Sequence, residues 1–272
     1  MHSLRGIRIL TLAVNLPGPL AVARLRQFGA EITKIEPLGG DPLAYAKPDW
    51  YRELHDGIEV SRCDLKTPDG GAVLESRLAS ADLLITASRP AALARLGLAW
   101  PELHINYPRL SHVAIVGHES PDEETPGHDL TYQAECGLVA PPSLPRACIA
   151  DWAGAQEVVI SALSVLFDRS KGRFAQVSLV GAARKFAEPL SRGLTVPDGI
   201  LGGGFPGYNL YRAREGWIAV AALEPHFWRR LADELRITSP TREELETVFL
   251  ERSPEDWEAW ARERDLPIVR VR

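Results

Sequence analysis

The first 36 residues constrain the fold more than any other part of this 272-residue chain. Arg8 to Val14 is a short apolar run, Pro17-Gly18-Pro19 forces a turn, and Ala21 to Phe28 carries apolar residues at helical spacing. Gly29 stands where a helix end favours a left-handed residue, and Glu31 to Ile35 alternates as a second short strand. Strand, helix and strand in about 35 residues is the length of one right-handed βαβ unit, which makes the two strands parallel.

The same rhythm continues. Thr67-Pro68-Asp69-Gly70 signals a helix start, with the helix running to Leu78, and Leu83 to Thr86 is a buried strand. Helices are predicted over Ala91 to Leu96 and Trp100 to Asn106, a β-rich run over Leu110 to Val116, a long apolar helix over Ala153 to Phe167, and a strand over Phe174 to Leu179. Helices alternating with buried strands predict an α/β fold with a doubly wound parallel sheet. Pro189 to Gly207 holds three prolines and six glycines and reads as a linker without regular structure. Beyond it, Tyr208 to Tyr211 and Trp217 to Ala222 flank Arg214-Glu215-Gly216 as a hairpin, and Phe227 to Leu235 and Pro254 to Arg264 read as amphipathic helices. The predicted organisation is a large domain over 1–188, a linker over 189–207 and a smaller α+β domain over 208–272.

Composition narrows the function classes. A net charge of -5 with scattered arginines gives no electrostatic footprint for nucleic acid. No apolar run approaches the ~20 residues of a membrane span and the N-terminus lacks a signal peptide's apolar centre, so a cytoplasmic protein without a membrane partner is expected. Cys63, Cys136 and Cys148 lack C-x-x-C spacing, so neither a disulfide framework nor a metal site is expected, and they read as buried or incidental thiols.

Four ionisable residues stand out. His128 and Asp129 sit side by side in Gly127-His128-Asp129-Leu130-Thr131-Tyr132-Gln133-Ala134, Asp151 lies in Ala150-Asp151-Trp152-Ala153-Gly154, and Glu224 ends an apolar run before Pro225. Imidazole beside carboxylate supplies acid, base and nucleophile together. Each also has a structural reading: Asp129 and Asp151 both precede predicted helices and suit N-caps, and Glu224 at a strand end needs solvent or a partner. The first βα turn, Asn15-Leu16-Pro17-Gly18-Pro19, lacks G-x-G-x-x-G, and its prolines remove two N–H donors, which disfavours a dinucleotide cofactor. Leu201 to Gly204 lacks the Lys-Ser/Thr of a phosphate loop and reads as a flexible segment beside a substrate.

The ordered set Leu4-Arg5-Gly6-Ile7-Arg8-Ile9-Leu10, Pro17-Gly18-Pro19, Gly29-Ala30-Glu31-Ile32-Thr33-Lys34-Ile35-Glu36-Pro37, Gly40-Asp41-Pro42, Asp64-Leu65-Lys66, Arg89-Pro90, Arg95-Leu96-Gly97-Leu98 and Gly127-His128-Asp129 resembles the family III CoA-transferases. This is the CaiB/BaiF family, which includes the α-methylacyl-CoA racemases. The resemblance runs from residue 4 to Val271. It implies a Rossmann-like large domain, an acyl-CoA thioester as substrate with no tightly bound cofactor, and a homodimer whose chains interlock. Because the chain is shorter than full-length members, that interlocking is expected to be open or altered.

Two chemistries follow from the resemblance. In the transferase branch, the aspartate matching Asp129 attacks the thioester and carries CoA to a carboxylic acid acceptor through an aspartyl thioester, and Gln133-Ala134 follows it in that branch's manner. Gly127 and a loop matching Gly202, Gly203 and Gly204 would flank the intermediate. In the racemase branch, residues matching His128 and Asp151 exchange the α-proton of a 2-methylacyl-CoA, with Glu224 orienting His128. A third expectation is a non-catalytic member that binds acyl-CoA or pairs with a longer homologous subunit. The resemblance gives Arg89 and Arg95 to the CoA phosphates, a task suited to guanidinium groups. It departs from the family pattern at Asp56-Gly57-Ile58-Glu59-Val60 and at Ala87-Ser88, where further CoA contacts are usual.

Overall fold

A computed structural model describes residues 3–238 and 240–272, in two compact units, Met1–Ala187 and Glu188–Arg272. The first unit begins with β1 (Arg8–Thr11), α1 (Pro17–Gln27) and β2 (Glu31–Glu36), the βαβ unit expected from sequence. Then come α2 (Pro42–Ala46), α3 (Pro48–Leu54), β3 (Glu59–Arg62), α4 (Pro68–Ser80), β4 (Leu83–Thr86), α5 (Pro90–Ala94), α6 (Trp100–Asn106) and β5 (Ser111–Val116). It closes with α7 (Asp129–Glu135), α8 (Ile149–Leu166), β6 (Phe174–Ser178) and α9 (Leu179–Phe186).

All six strands run parallel in the order β3-β2-β1-β4-β5-β6, the doubly wound arrangement. The apolar strands β4 and β5 are buried at every residue because helices cover both faces of the sheet. One core layer packs Val113, Ile115 and Val177 against Val158, Ala162 and Val22, and the other packs Leu10, Leu84 and Ile35 against Leu74, Leu93 and Leu103. α8 is long and apolar enough, by length and composition, to cross a membrane, and half of that span is buried in the unit.

Several boundaries differ from the sequence expectation, each for a local reason. Pro17-Gly18-Pro19 is the first turn of α1 rather than a turn before it, because the first N–H groups of a helix have no intrahelical acceptor and proline forfeits nothing there. α8 begins at Ile149, four residues earlier than expected, so Asp151 lies in its first turn and Cys148 takes the N-cap. Cys148 is exposed, and all three cysteines are free.

The second unit contains α10 (Glu188–Ser191), β7 (Tyr208–Ala213), β8 (Gly216–Ala221), α11 (Pro225–Leu235), α12 (Arg242–Phe249), α13 (Pro254–Glu263) and β9 (Ile268–Arg270). β7 and β8 form the expected hairpin, and β9 adds an antiparallel third strand. Their core is aromatic, with Tyr211, Phe249, Trp257 and Trp260 packed together. The stretch read as an irregular linker holds α10 and a tight coil over Ile200–Gly204.

Candidate active site

In open parallel sheets, ligands bind beyond the carboxyl ends of the strands, where the winding reverses direction. Here that point lies between β1 and β4. A cavity of about 300 Å³ opens there, walled by Val14, Asn15 and Pro17 after β1, by Ala87, Ser88 and Arg89 after β4, and by Ile115, Val116 and Gly117 at the end of β5. Glu123, Thr125, Pro126 and Gly127 from the loop before α7, His128 and Tyr132 of α7, Asp151 of α8 and Leu179 of α9 complete it.

Local sequence explains how His128 and Asp151 come to this wall. His128 is the extended N-cap of α7, where Thr131 Oγ accepts its N–H at 3.1 Å and donates to its carbonyl at 2.8 Å. Gly127 precedes it because a Cβ there would collide with the buried Tyr132 ring. His128 is exposed, with its backbone pinned on both sides. Asp151, by contrast, is partly buried in the first turn of α8. Burial first, and then the charge of Asp129, push its carboxyl from the ordinary 3.8 to about 7.

Asp129 has a different place. One of its oxygens accepts Gln133 Nε2 at 2.5 Å and the other accepts the backbone N–H of Asp151 at 3.1 Å. Gln133, one turn along α7 and fully buried, also donates to Ala147 O at 2.8 Å. Asp129 thus ties the start of α7 to the start of α8, and it is absent from the cavity walls among the described residues. The sequence expectation of Asp129 as the attacking carboxylate meets a carboxylate whose oxygens are both engaged. It is N1 of α7 rather than its N-cap.

Of the other predicted site residues, Arg89 lines the cavity, whereas Arg95 is the exposed C-cap of α5 and is not in its wall among the described residues. Glu224 belongs to the second unit, where it is the exposed N-cap of α11 and its carbonyl accepts Trp228 N–H at 3.0 Å. Gly202, Gly203 and Gly204 lie in the coil of that unit. Gly203 has φ 95°, and a Cβ on Gly202 or Gly204 would collide with the carbonyls of Val196 or Asp198, so the glycine run has a local structural cause. Asn15 and Tyr132 are wall residues that sequence reasoning did not single out. Burial raises the Tyr132 hydroxyl pKa and Asp151 raises it further, so Tyr132 faces the cavity as a neutral group.

Glu36, Asp41 and His55 converge closely enough to hold a cation, and all three are buried. The Lys34 ammonium already fills that role: its Nζ stands 2.5 Å from Asp41, 3.1 Å from Glu36 and 2.9 Å from His55 Nε2.

The arrangement defines a class of protein: a doubly wound α/β fold that presents an imidazole, a near-neutral carboxyl and an arginine around one cavity. The chain belongs to CoA-transferase family III, whose family model matches residues 4–272. It is 29% identical to the succinyl-CoA--L-malate CoA-transferase alpha subunit of Chloroflexus aurantiacus, over 85% of this chain and 61% of that protein. It is also 29% identical to the alpha-methylacyl-CoA racemase of Mus musculus, over 93% of this chain and 68% of that protein. The chain therefore spans about three fifths of the length of the first relative. Among solved structures, a CAIB/BAIF family protein from Brucella suis has the same fold, with a TM-score of 0.81 at 20% identity over 99% of this chain and 84% of that one. A hypothetical protein from Mycobacterium tuberculosis gives 0.88 at 20% identity over 100% and 84%.

Proposed function

We propose that this chain acts on an acyl-CoA thioester and moves the α-proton of its acyl group between His128 and Asp151. The observation that supports this reading is that His128 and Asp151 both line one cavity, while the two oxygens of Asp129 are taken by Gln133 Nε2 and the Asp151 N–H. Two-base exchange needs one group protonated while the other is not. A carboxyl whose pKa lies near 7 meets that condition beside an imidazole, and such matching contributes about 10²–10⁴-fold to proton transfer. One base breaks the C–H bond, the electron pair passes into an enolate on the thioester oxygen, and the other group returns a proton to the α-carbon. Arg89 and Arg95 are assigned to the CoA phosphates, and the roles the resemblance gives Glu224 and Gly202 to Gly204 are kept in this proposal. The similarity to an alpha-methylacyl-CoA racemase supports it.

A second reading is CoA transfer, favoured by the similarity to a succinyl-CoA--L-malate CoA-transferase subunit. There an aspartate carboxylate attacks the thioester carbonyl, the C–S bond breaks and CoA thiolate leaves. The thiolate then attacks the enzyme's carbonyl of the mixed anhydride, releasing the free acid and leaving an aspartyl-CoA thioester. The acceptor carboxylate attacks that thioester to give a second mixed anhydride, and the expelled thiolate attacks its acyl carbonyl, forming the new acyl-CoA and freeing the aspartate. Asp151 has the exposure to the cavity that this step needs.

Incubation of a 2-methylacyl-CoA in deuterated water distinguishes the two. Deuterium at the α-carbon without any acceptor acid, lost in both His128→Ala and Asp151→Ala, is the expected result. No exchange, together with acceptor-dependent CoA transfer and inactivation by hydroxylamine, would assign the second reading instead.

A further inference from the structure

Asn15 lines the cavity with its backbone in the left-handed region, φ 66°. Asparagine tolerates that region better than most residues, but a strained residue persists only where its surroundings over-determine it. Here they do. The Asn15 N–H donates to Asp41 Oδ1 at 3.1 Å, and the same oxygen accepts Leu43 N–H at 2.9 Å. Asp41 Oδ2 is held by the Lys34 ammonium, which is fully buried and shared with Glu36 and His55. The Tyr51 hydroxyl donates to Glu36 at 2.6 Å and closes the cluster. A network of interior charges thus ends on the backbone of one residue in the cavity wall.

A buried ion pair is weak evidence for stability, because desolvating the charges offsets their attraction, so the position it fixes is the feature to explain. The turn after β1 has no Gly-rich loop and carries two prolines, and of the wall residues it supplies, Val14, Asn15 and Pro17, Asn15 is the one with a neutral side-chain N–H donor.

We propose that Asn15 is a substrate-contacting residue whose carboxamide N–H donates to the thioester oxygen, with Asp41 and Lys34 as the residues that position it. This rests on reading the cavity as an acyl-CoA site. In either chemistry above, negative charge builds on that oxygen, as an enolate or as a tetrahedral adduct. A fixed donor there binds the transition state more strongly than the ground state, so it acts on kcat more than on KM.

Asn15→Gly and Asn15→Asp test this, because both replacements accept a left-handed backbone and both remove the donor. With circular dichroism unchanged, kcat is expected to fall about 10- to 100-fold in each, with KM within about threefold. Asp41→Asn is expected to lower kcat in the wild-type background and to add little in the Asn15→Gly background. Independent losses would mean that Asp41 does not act through Asn15. Should Asp41→Asn fail to fold, the two Asn15 variants decide alone. Turnover by Asn15→Gly within twofold of wild type would overturn the proposal. A wild-type protein that binds no acyl-CoA at millimolar concentration would instead overturn the reading of the cavity, and this proposal with it.

Discussion

Asp129 accepts the backbone N–H of Asp151 at 3.1 Å, so the carboxylate that starts one helix holds the first turn of the helix that carries the other. The two are electrostatically linked as well, since the charge of Asp129 adds to burial in raising the Asp151 pKa. Asp129 therefore both anchors the turn that carries Asp151 and adds to the effect of burial on its ionisation.

Stability should fall as pH rises from about 4 to about 7. The Asp151 carboxyl titrates near 7 in the folded protein and near 3.8 when unfolded, so between these values the native state holds a proton that the unfolded state has lost. The resulting cost is absent below pH ~4 and complete above ~7, and three pKa units bound it at about 4 kcal/mol. Asp151→Asn should melt higher than wild type at pH 8, with the gap closing towards pH 4. Thermal melts across that range check the sign, and equal melting curves at pH 8 would refute it.

Removing Asp129 should change the pH profile before it abolishes activity. Asp129→Asn takes away the charge that raises the Asp151 pKa, so the limb of the rate profile due to Asp151 should move to lower pH. Melting should drop by the equivalent of about 1–3 kcal/mol, because Gln133 Nε2 and the Asp151 N–H lose a charged acceptor. Complete loss of turnover with an unshifted profile would return the nucleophile's role to Asp129.

Arg89 should act on binding. As an exposed guanidinium in the cavity wall, its loss in Arg89→Ala should raise KM for an acyl-CoA about 10-fold or more and leave kcat within about threefold. A truncated thioester without phosphates should show no such penalty. Steady-state kinetics with both substrates separates phosphate recognition from a general disturbance of the site.

Lys34→Met should be among the most destabilising single changes in the first unit. It leaves Asp41 buried without its cation and Glu36 with only the half-exposed Arg62 guanidinium at 3.3 Å, a loss of about 3–5 kcal/mol in comparable cases. Burial first and then the Lys34 charge depress the His55 pKa, so His55 should protonate more readily in the variant. Chemical denaturation and imidazole resonances followed against pH measure the two effects separately.

The sheet was legible because the chain writes it plainly. Leu83 to Ile85 and Val113 to Val116 are unbroken apolar runs, as expected of strands covered on both faces. β3 was not, since Glu59-Val60-Ser61-Arg62 is a largely exposed edge with neither alternation nor an apolar run. α2 and α3 bury no residue, so no apolar stripe marks them. His128 and Asp151 could be nominated from residue type and motif order. The engagement of both Asp129 oxygens could not, because it depends on partners brought in by the fold, and one of these lies 22 residues further along the chain. The wall position of Asn15 was hidden for a similar reason, as its partner Asp41 is 26 residues away and its backbone angle has no counterpart in composition.

The cavity wall runs in sequence from Val14 to Leu179, the residue that opens α9 just after the edge strand β6. Protein synthesis delivers those two ends far apart in time. Five of the six strands can leave the ribosome and begin to pair while the last wall residue is still unmade. The scaffold of this chain can thus begin to form before the last part of its cavity wall has been made.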